Sequence, residues 1–222
     1  MKKIYAINGS PRKNWNTATL LDKALEGAKA SNLDEVITER IDLYDLNFTG
    51  CRSCFACKRI GGKSYGKCAV QDDLHDVLEK VLKSDGIIIG SPIYYRNITG
   101  ELHSFLERLM FPYTVYSSYT PNTSGIKKPE LPIAWIYTMN VKEKEFQRDH
   151  YDRYLELWKR FLWGFGRNPE VMYAFNTYQF DDYSKYVSDY FDERDKASYR
   201  ERQFGVDCDR AFQIGQNIVR KK

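Results

Sequence analysis

The chain has 222 residues, of which 42% are hydrophobic, 15% aromatic and 29% charged, with a mean hydropathy of −0.59. That much apolar and aromatic side chain excludes a disordered chain and is enough to build a buried core. Basic and acidic residues number 34 and 30, a formal charge of +4 with the signs interspersed, so nucleic-acid binding gains no support.

Apolar runs such as Ile87-Ile88-Ile89 fall far short of the ~18 residues a bilayer span needs. Only Ile4-Tyr5-Ala6-Ile7 separates Lys3 from Asn8-Gly9, too little for a secretory leader, and a cytoplasmic protein is expected. Short apolar runs alternate with helical patterns, the mark of an α/β fold on a mostly parallel sheet. A strand is expected over Lys3–Ile7 and a helix over Thr17–Ala30, where Leu20, Leu21, Ala24, Leu25 and Ala28 recur at helical spacing. Glu35–Leu43 alternates as a mixed polar strand near a sheet edge, and Asp72–Leu82 is a helix opened by Asp72-Asp73, where negative charge is favourable. Gly86–Gly90 is an unbroken apolar strand of the kind buried on both faces. A helix over Thr99–Met110, a strand over Pro132–Met139 and an aromatic-rich helix over Phe146–Leu162 follow. Glu170–Asn176 reads as the last strand and Arg194–Val219 as a closing helix. Tyr183, Tyr186, Tyr190 and Phe191 fall at helical spacing, either packed on that last helix or forming a lid or partner contact.

This order predicts a doubly wound, five-stranded parallel sheet of flavodoxin-like order 2-1-3-4-5, helices on both faces. One domain over 1–222 is expected, with a helical, aromatic-rich C-terminal extension from about 178. The switch point lies between strands one and three, so the loops after Ile7 and Ile89 are the candidate ligand loops. The first, Asn8 to Thr19, leaves a strand and enters a helix, where unpaired amides and the helix dipole favour a phosphate. Ser10, Asn16 and Thr17 add short donors there, and Arg12 adds a planar fork. Neither G-x-x-x-x-G-K-[ST] nor G-x-G-x-x-G is present, against a P-loop or a Rossmann dinucleotide site. The second loop, Gly90 to Gly100, joins Pro92 to two flat rings, Tyr94 and Tyr95, and to Asn97, which can pair with an amide-like ring edge. One loop suits a phosphate and the other a flat heteroaromatic ring. A mononucleotide such as FMN satisfies both.

G-S-P-R-x-x-x-N-T after strand one and G-S-P-I-Y-Y-x-N-x-T-G-x-L after strand three resemble the NAD(P)H-dependent FMN reductase family of flavodoxin-like proteins. The resemblance covers about the first 140 residues and extends to C-x-x-C-x-x-C and to K-C-x-x-x-D-D-L at Lys67–Leu74. It implies that Ser10, Arg12, Asn16, Thr17 and the Ala18 amide hold the phosphate. It implies further that Pro92, Ile93, Tyr94, Tyr95 and Asn97 line the isoalloxazine, with Thr138-Met139-Asn140 at the far edge of the ring. Trp15 departs from the family's small residue, and its indole is expected to cover the phosphate or brace a partner chain.

The expected activity is hydride transfer from NAD(P)H to bound FMN and onward to a small acceptor: a quinone, a flavin, or a nitro- or azo-aromatic. The alternative is a non-enzymatic flavodoxin-like or iron–sulfur electron carrier. The resemblance also implies a homodimer or homotetramer. Lys127, Lys128 and Arg96 are candidates for nicotinamide-cofactor phosphates, and the Tyr113–Gly125 loop for the second-substrate pocket. Cys51, Cys54, Cys57 and Cys68 have the spacing of an iron–sulfur run with a long last gap, and zinc would also accept four sulfurs. The favoured reading is plain packing beside the flavin, with no metal site. His75, His103 and His150 share no ligand spacing, and Ser10 lacks partners for a hydrolase.

Overall fold

The computed structural model describes residues 1–31, 35–116, 126, 129–162, 165 and 169–220. Five parallel strands, β1 (Lys2–Asn8), β2 (Val36–Asp42), β3 (Gly86–Pro92), β4 (Ile133–Thr138) and β5 (Glu170–Ala174), form one sheet in the order β2-β1-β3-β4-β5. The helices are α1 (Asn16–Lys29), α2 (Leu74–Leu82), α3 (Gly100–Met110), α4 (Glu143–Arg148), α5 (Tyr151–Leu162) and α6 (Glu193–Arg220). The strand order is the flavodoxin-like one expected, with the mixed polar β2 at an edge.

Strand periodicity sorts the core into two layers. Tyr5, Ile7, Ile87, Ile89, Trp135 and Tyr137 face α2, α3 and α5; Ile4, Ala6, Ile88, Ala134, Ile136 and Met172 face α1 and α6. α1 and α6 meet almost backbone to backbone. A Cβ on Gly27 would stand 1.9 Å from Phe212 O, and one on Gly215 1.7 Å from Ala24 O. Any side chain at either place would force the helices apart, so this seam fixes how the C-terminal helix seats on the sheet.

Two expectations need correction. Phe146–Leu162 is not one helix: α4 ends at Arg148 and α5 begins at Tyr151, with His150 between them at φ +54°. Glu145 reaches back to the Lys142 amide (2.9 Å), half of a capping box that starts α4 early. The bend lets Phe146 pack against Tyr151, Tyr173 and Phe175 together. The Tyr183–Phe191 segment is also not helical beyond a single 3-10 turn over Tyr183–Lys185. Asp182 accepts hydrogen bonds from the Ser184 amide (3.0 Å) and hydroxyl (2.6 Å), a local alternative that competes with helix formation.

The long segment between β2 and α2 is anchored by a buried ion pair. Arg108 on α3 is fully buried and grips Asp72 with two nitrogens, at 2.6 and 2.9 Å. It also donates to Thr49 O (3.1 Å) and Val70 O (3.3 Å), on either side of the cysteine run. Burial alone would raise the Asp72 carboxyl; the guanidinium outweighs it and holds the group below the usual carboxylate range. This contribution is therefore complete above the unfolded carboxylate pKa and is lost as pH falls through the folded one. Asp72→Asn leaves Arg108 charged and unpaired in the interior. It is expected to cost about 3–5 kcal/mol, a fall in Tm of roughly 10 °C by calorimetry at neutral pH, with the difference from wild type shrinking in acid.

Candidate cofactor-binding site

The carboxyl ends of β1, β3, β4 and β5 open into a cavity of about 590 Å³. Its β1 wall is set by a chain of short side-chain bonds. Asn8 donates to Asp42 (2.7 Å) and accepts from the Ser10 amide (3.0 Å), while Ser10 Oγ accepts from the Arg12 amide (3.1 Å). Trp15, the residue before α1, makes no side-chain cap, and the first turn of α1 holds no acidic residue. The orphan amides of that turn and its positive dipole end are thus left available to an anion. Gly90 on β3 lets α1 come close, since a Cβ there would sit 2.7 Å from Leu21 and 2.9 Å from Thr17. Thr17 and Thr138 share a hydroxyl hydrogen bond of 2.7 Å, joining α1 to the end of β4.

The β3 wall is the Pro92–Arg96 bend. Tyr94 and Asn97 exchange backbone hydrogen bonds, 2.9 Å each way, and the two residues between them lie at φ +49° (Tyr95) and +68° (Arg96). Positive φ at both central residues is the signature of a type I′ turn, which asparagine and glycine fill at little cost and bulky residues do not. The strain displays the Tyr95 ring wholly to solvent at the cavity mouth and carries Arg96 over the ring of Tyr151, 5.2 Å away.

The remaining walls come from the loops after β4 and β5. Met139, Asn140, Val141, Thr177, Tyr178 and Gln179 line the cavity, with Tyr151 and Phe191. Asn140 Oδ1 is buried there without a hydrogen-bond partner among the described residues. The Thr177–Gln179 stretch is latched to the β1 loop. Trp15 Nε1 (2.9 Å) and Asn16 Nδ2 (2.8 Å) both donate to Tyr178 O, and Arg12 donates to Gln179 O. Arg200 on α6 completes the latch by donating to Asn16 Oδ1 (2.9 Å). Trp15 therefore braces its own chain.

The structure thus brings Ser10, Arg12, Asn16, Thr17, Pro92, Ile93, Tyr94, Tyr95 and Thr138 around one cavity. Ala18 lies fully buried behind it, in the first turn of α1. Asn97 is not brought to this wall: its Oδ1 accepts from Trp158 Nε1 and the Ile98 amide, 2.8 Å each, and it faces a second cavity between α3 and α5. Of the charged candidates, Arg96 lines the main cavity, while Lys127 and Lys128, like Tyr113–Gly125 beyond Tyr116, lie outside the described residues. Arg200, the Thr177–Gln179 stretch and Phe191 carry no motif; their only sequence signal is a polar, aromatic tail too long for a minimal five-stranded fold.

Cys51, Cys54, Cys57 and Cys68 border a small cleft of about 20 Å³, room for about one water molecule. Among the described residues no group of three or more His, Cys, Asp or Glu side chains is placed to hold a metal. Burial pushes the Cys57 thiol up, while Cys54 is exposed. These residues do not fit a cluster as they stand, and no chemistry is routed through one.

Replacing Tyr95 by Asn relieves a left-handed tyrosine whose ring makes no buried contact. Unfolding free energy is expected to rise by about 0.5–1 kcal/mol and Tm by about 2 °C, read in a thermal melt of the ligand-free chain.

Residues 2–136 match the family described as NADPH-dependent FMN reductase. An iron-sulfur flavoprotein of Methanocaldococcus jannaschii is 35% identical over 106 residues, 48% of this chain and 51% of that protein. One of Archaeoglobus fulgidus is 35% identical over 136 residues, 58% of this chain and 57% of that protein. The matched stretch thus spans about half the length of these relatives. Among solved structures, the fold is similar to an NAD(P)H:quinone oxidoreductase of Methanothermobacter marburgensis, with TM-score 0.66 and 15% identity, covering 98% of this chain and 96% of that one. It is also similar to an azoreductase of Bacillus anthracis, with TM-score 0.62 and 16% identity, covering 98% and 100%. With the family match running from the first strand to the fourth, across both loops that frame the cavity, this chain belongs to the NADPH-dependent FMN reductase family.

Proposed function

We propose that the protein is an FMN-dependent oxidoreductase that takes a hydride from NAD(P)H and passes electrons to a small acceptor such as a quinone, a flavin or a nitro- or azo-aromatic. The observation that carries this reading is the single cavity at the switch point. It joins an uncapped helix N-terminus with Ser10, Asn16 and Thr17 to a proline–tyrosine bend, and no carboxylate among the described residues lines it. Its volume lies within the range of small-molecule sites.

FMN bound there would supply the redox chemistry: hydride acceptance from the nicotinamide and electron donation to the second substrate. The chain supplies binding and orientation. Ser10, Asn16 and Thr17 at the start of α1 present donors for the phosphate, and Arg12 adds a charged fork at the rim. Pro92, Ile93 and Tyr94 present a flat wall for the ring, and Tyr95 stands at its mouth. Asn140 lines the far side of the same cavity. No side chain need act as acid or base.

No helix among the described residues is long and apolar enough to cross a membrane, in keeping with a cytoplasmic reductase. Tyr154, Leu157 and Phe161 form an exposed apolar strip on α5, which suits a second copy of the chain in a homodimer or homotetramer.

Two measurements test the reading. The flavin-free chain should bind FMN, and Arg12→Ala should weaken that binding by about 1.5–3 kcal/mol. Anaerobic NADPH should then bleach the flavin absorbance. FMN uptake without bleaching would leave a carrier in place of a reductase, and no uptake would sink both.

A further inference from the structure

Lys196, on the first turns of α6, is only 1% exposed, yet no side-chain carboxylate is among its hydrogen-bond acceptors. Its ammonium donates to three uncharged oxygens: Asn140 O at 3.0 Å, Asn176 Oδ1 at 2.9 Å and Thr177 O at 3.3 Å. Asn140 and Thr177 line the cavity, and so does Phe191, whose ring centroid lies 5.0 Å from the Lys196 nitrogen. Asn176, held at φ +49°, links the two loops. Its amide donates to Val141 O (2.9 Å) and its side chain to Asp195 (3.1 Å).

Burying an ammonium against carbonyls alone is costly, and such a charge persists where something compensates it. We propose that Lys196 is a positioning residue for the bound flavin: it ties the loops after β4 and β5 into one wall and sets a buried positive charge behind a cavity that takes an anionic ligand. This rests on the FMN reading above and assigns a role to a residue far outside both ligand loops.

The charge is poised to titrate. Burial pulls the Lys196 ammonium down to about 8. Asp195 beside it on α6 and Glu145 on α4 favour the charged form, whereas Lys142, which precedes α4 and pairs with Asp195 at 2.7 Å, opposes it. No charged group faces it from the loop after β5 among the residues that touch it. A neutral amine has two hydrogens for three oxygens and no charge for the ligand. FMN binding should therefore be strong below pH 8 and weaken as pH rises through it. The phosphate stays doubly ionised throughout, its second pKa being near 6. Folding stability should move the other way. The unfolded lysine keeps its proton to higher pH than the folded one, so Lys196's contribution to stability rises between about 8 and its ordinary value.

The test is fluorescence titration of the full, flavin-free chain with FMN from pH 7 to 9.5, with circular dichroism recorded at each pH. For wild type the Kd should rise about tenfold across this range while the fold is retained. Lys196→Met should bind about tenfold more weakly at pH 7 and show no such slope. Lys196→Arg, which cannot lose its proton here, should keep affinity at pH 7 and stay flat. A flat wild-type profile, or the same slope in Lys196→Met, would overturn the role of Lys196 while leaving the FMN reading intact. Wild-type protein that takes up no FMN at any pH would overturn the FMN reading itself. Should Lys196→Met fail to fold, the wild-type slope and the Lys196→Arg profile still decide.

Discussion

The loop that follows β5 depends on bonds made by side chains far away in sequence, and the shape of the cavity depends on that loop. Trp15, Asn16 and Arg12 hold the carbonyls of Tyr178 and Gln179 from the β1 side, and Lys196 holds Thr177 O from α6. A backbone stretch lying outside any strand must find partners for its carbonyls or face water. Here three of those partners, Arg12, Trp15 and Asn16, line the cavity. The loop is therefore held by side chains of the β1 wall, and these two walls of the cavity are linked.

That linkage gives the C-terminal helix a reason to be long. α6 packs along α1 through a glycine seam too tight for any side chain, so its N-terminal turns are placed with little freedom over the ends of β4 and β5. Arg200 and Lys196 project from those turns, one onto Asn16 and the other onto the two loops. A rigid helix thus delivers two cations behind a cavity wall that carries no carboxylate among the described residues. On the opposite side, the Pro92–Arg96 bend keeps two non-glycine residues at positive φ. Strain of this kind survives where the surroundings over-determine it, and here the backbone pair between Tyr94 and Asn97 does so.

The sheet and the two loops that meet at the cavity were legible because their physics is local. An unbroken Gly-Ile-Ile-Ile-Gly run can only be a buried strand, and a strand leading through Gly9-Ser10 into a helix exposes amides whatever the rest of the chain does. Asn97 shows where local reading ends. Its residue type suits a ring edge, but Trp158, 61 positions later, takes its carbonyl oxygen and turns it toward α5. The tyrosines at 183, 186 and 190 mislead for a related reason. Spacings of three and four residues carry no helix where an aspartate closes its own turn, and Phe180 and Tyr186 stack at 4.0 Å without any helix to align them.

Lys196 was illegible for a different reason. A lysine between Asp195 and Ala197 near the start of a polar helix has every sequence attribute of a solvated side chain. Its burial follows from the glycine seam, which rotates that face of α6 toward the sheet, and from the three oxygens that the strand-end loops happen to present there. Both causes are tertiary: the seam joins Gly27 and Ala24 on α1 to α6, and the three oxygens come from residues beyond 136, where the family match ends. The loops after β1 and β3 frame the cavity from one side; the tail, reading as an unremarkable polar helix, sets a buried cation behind it.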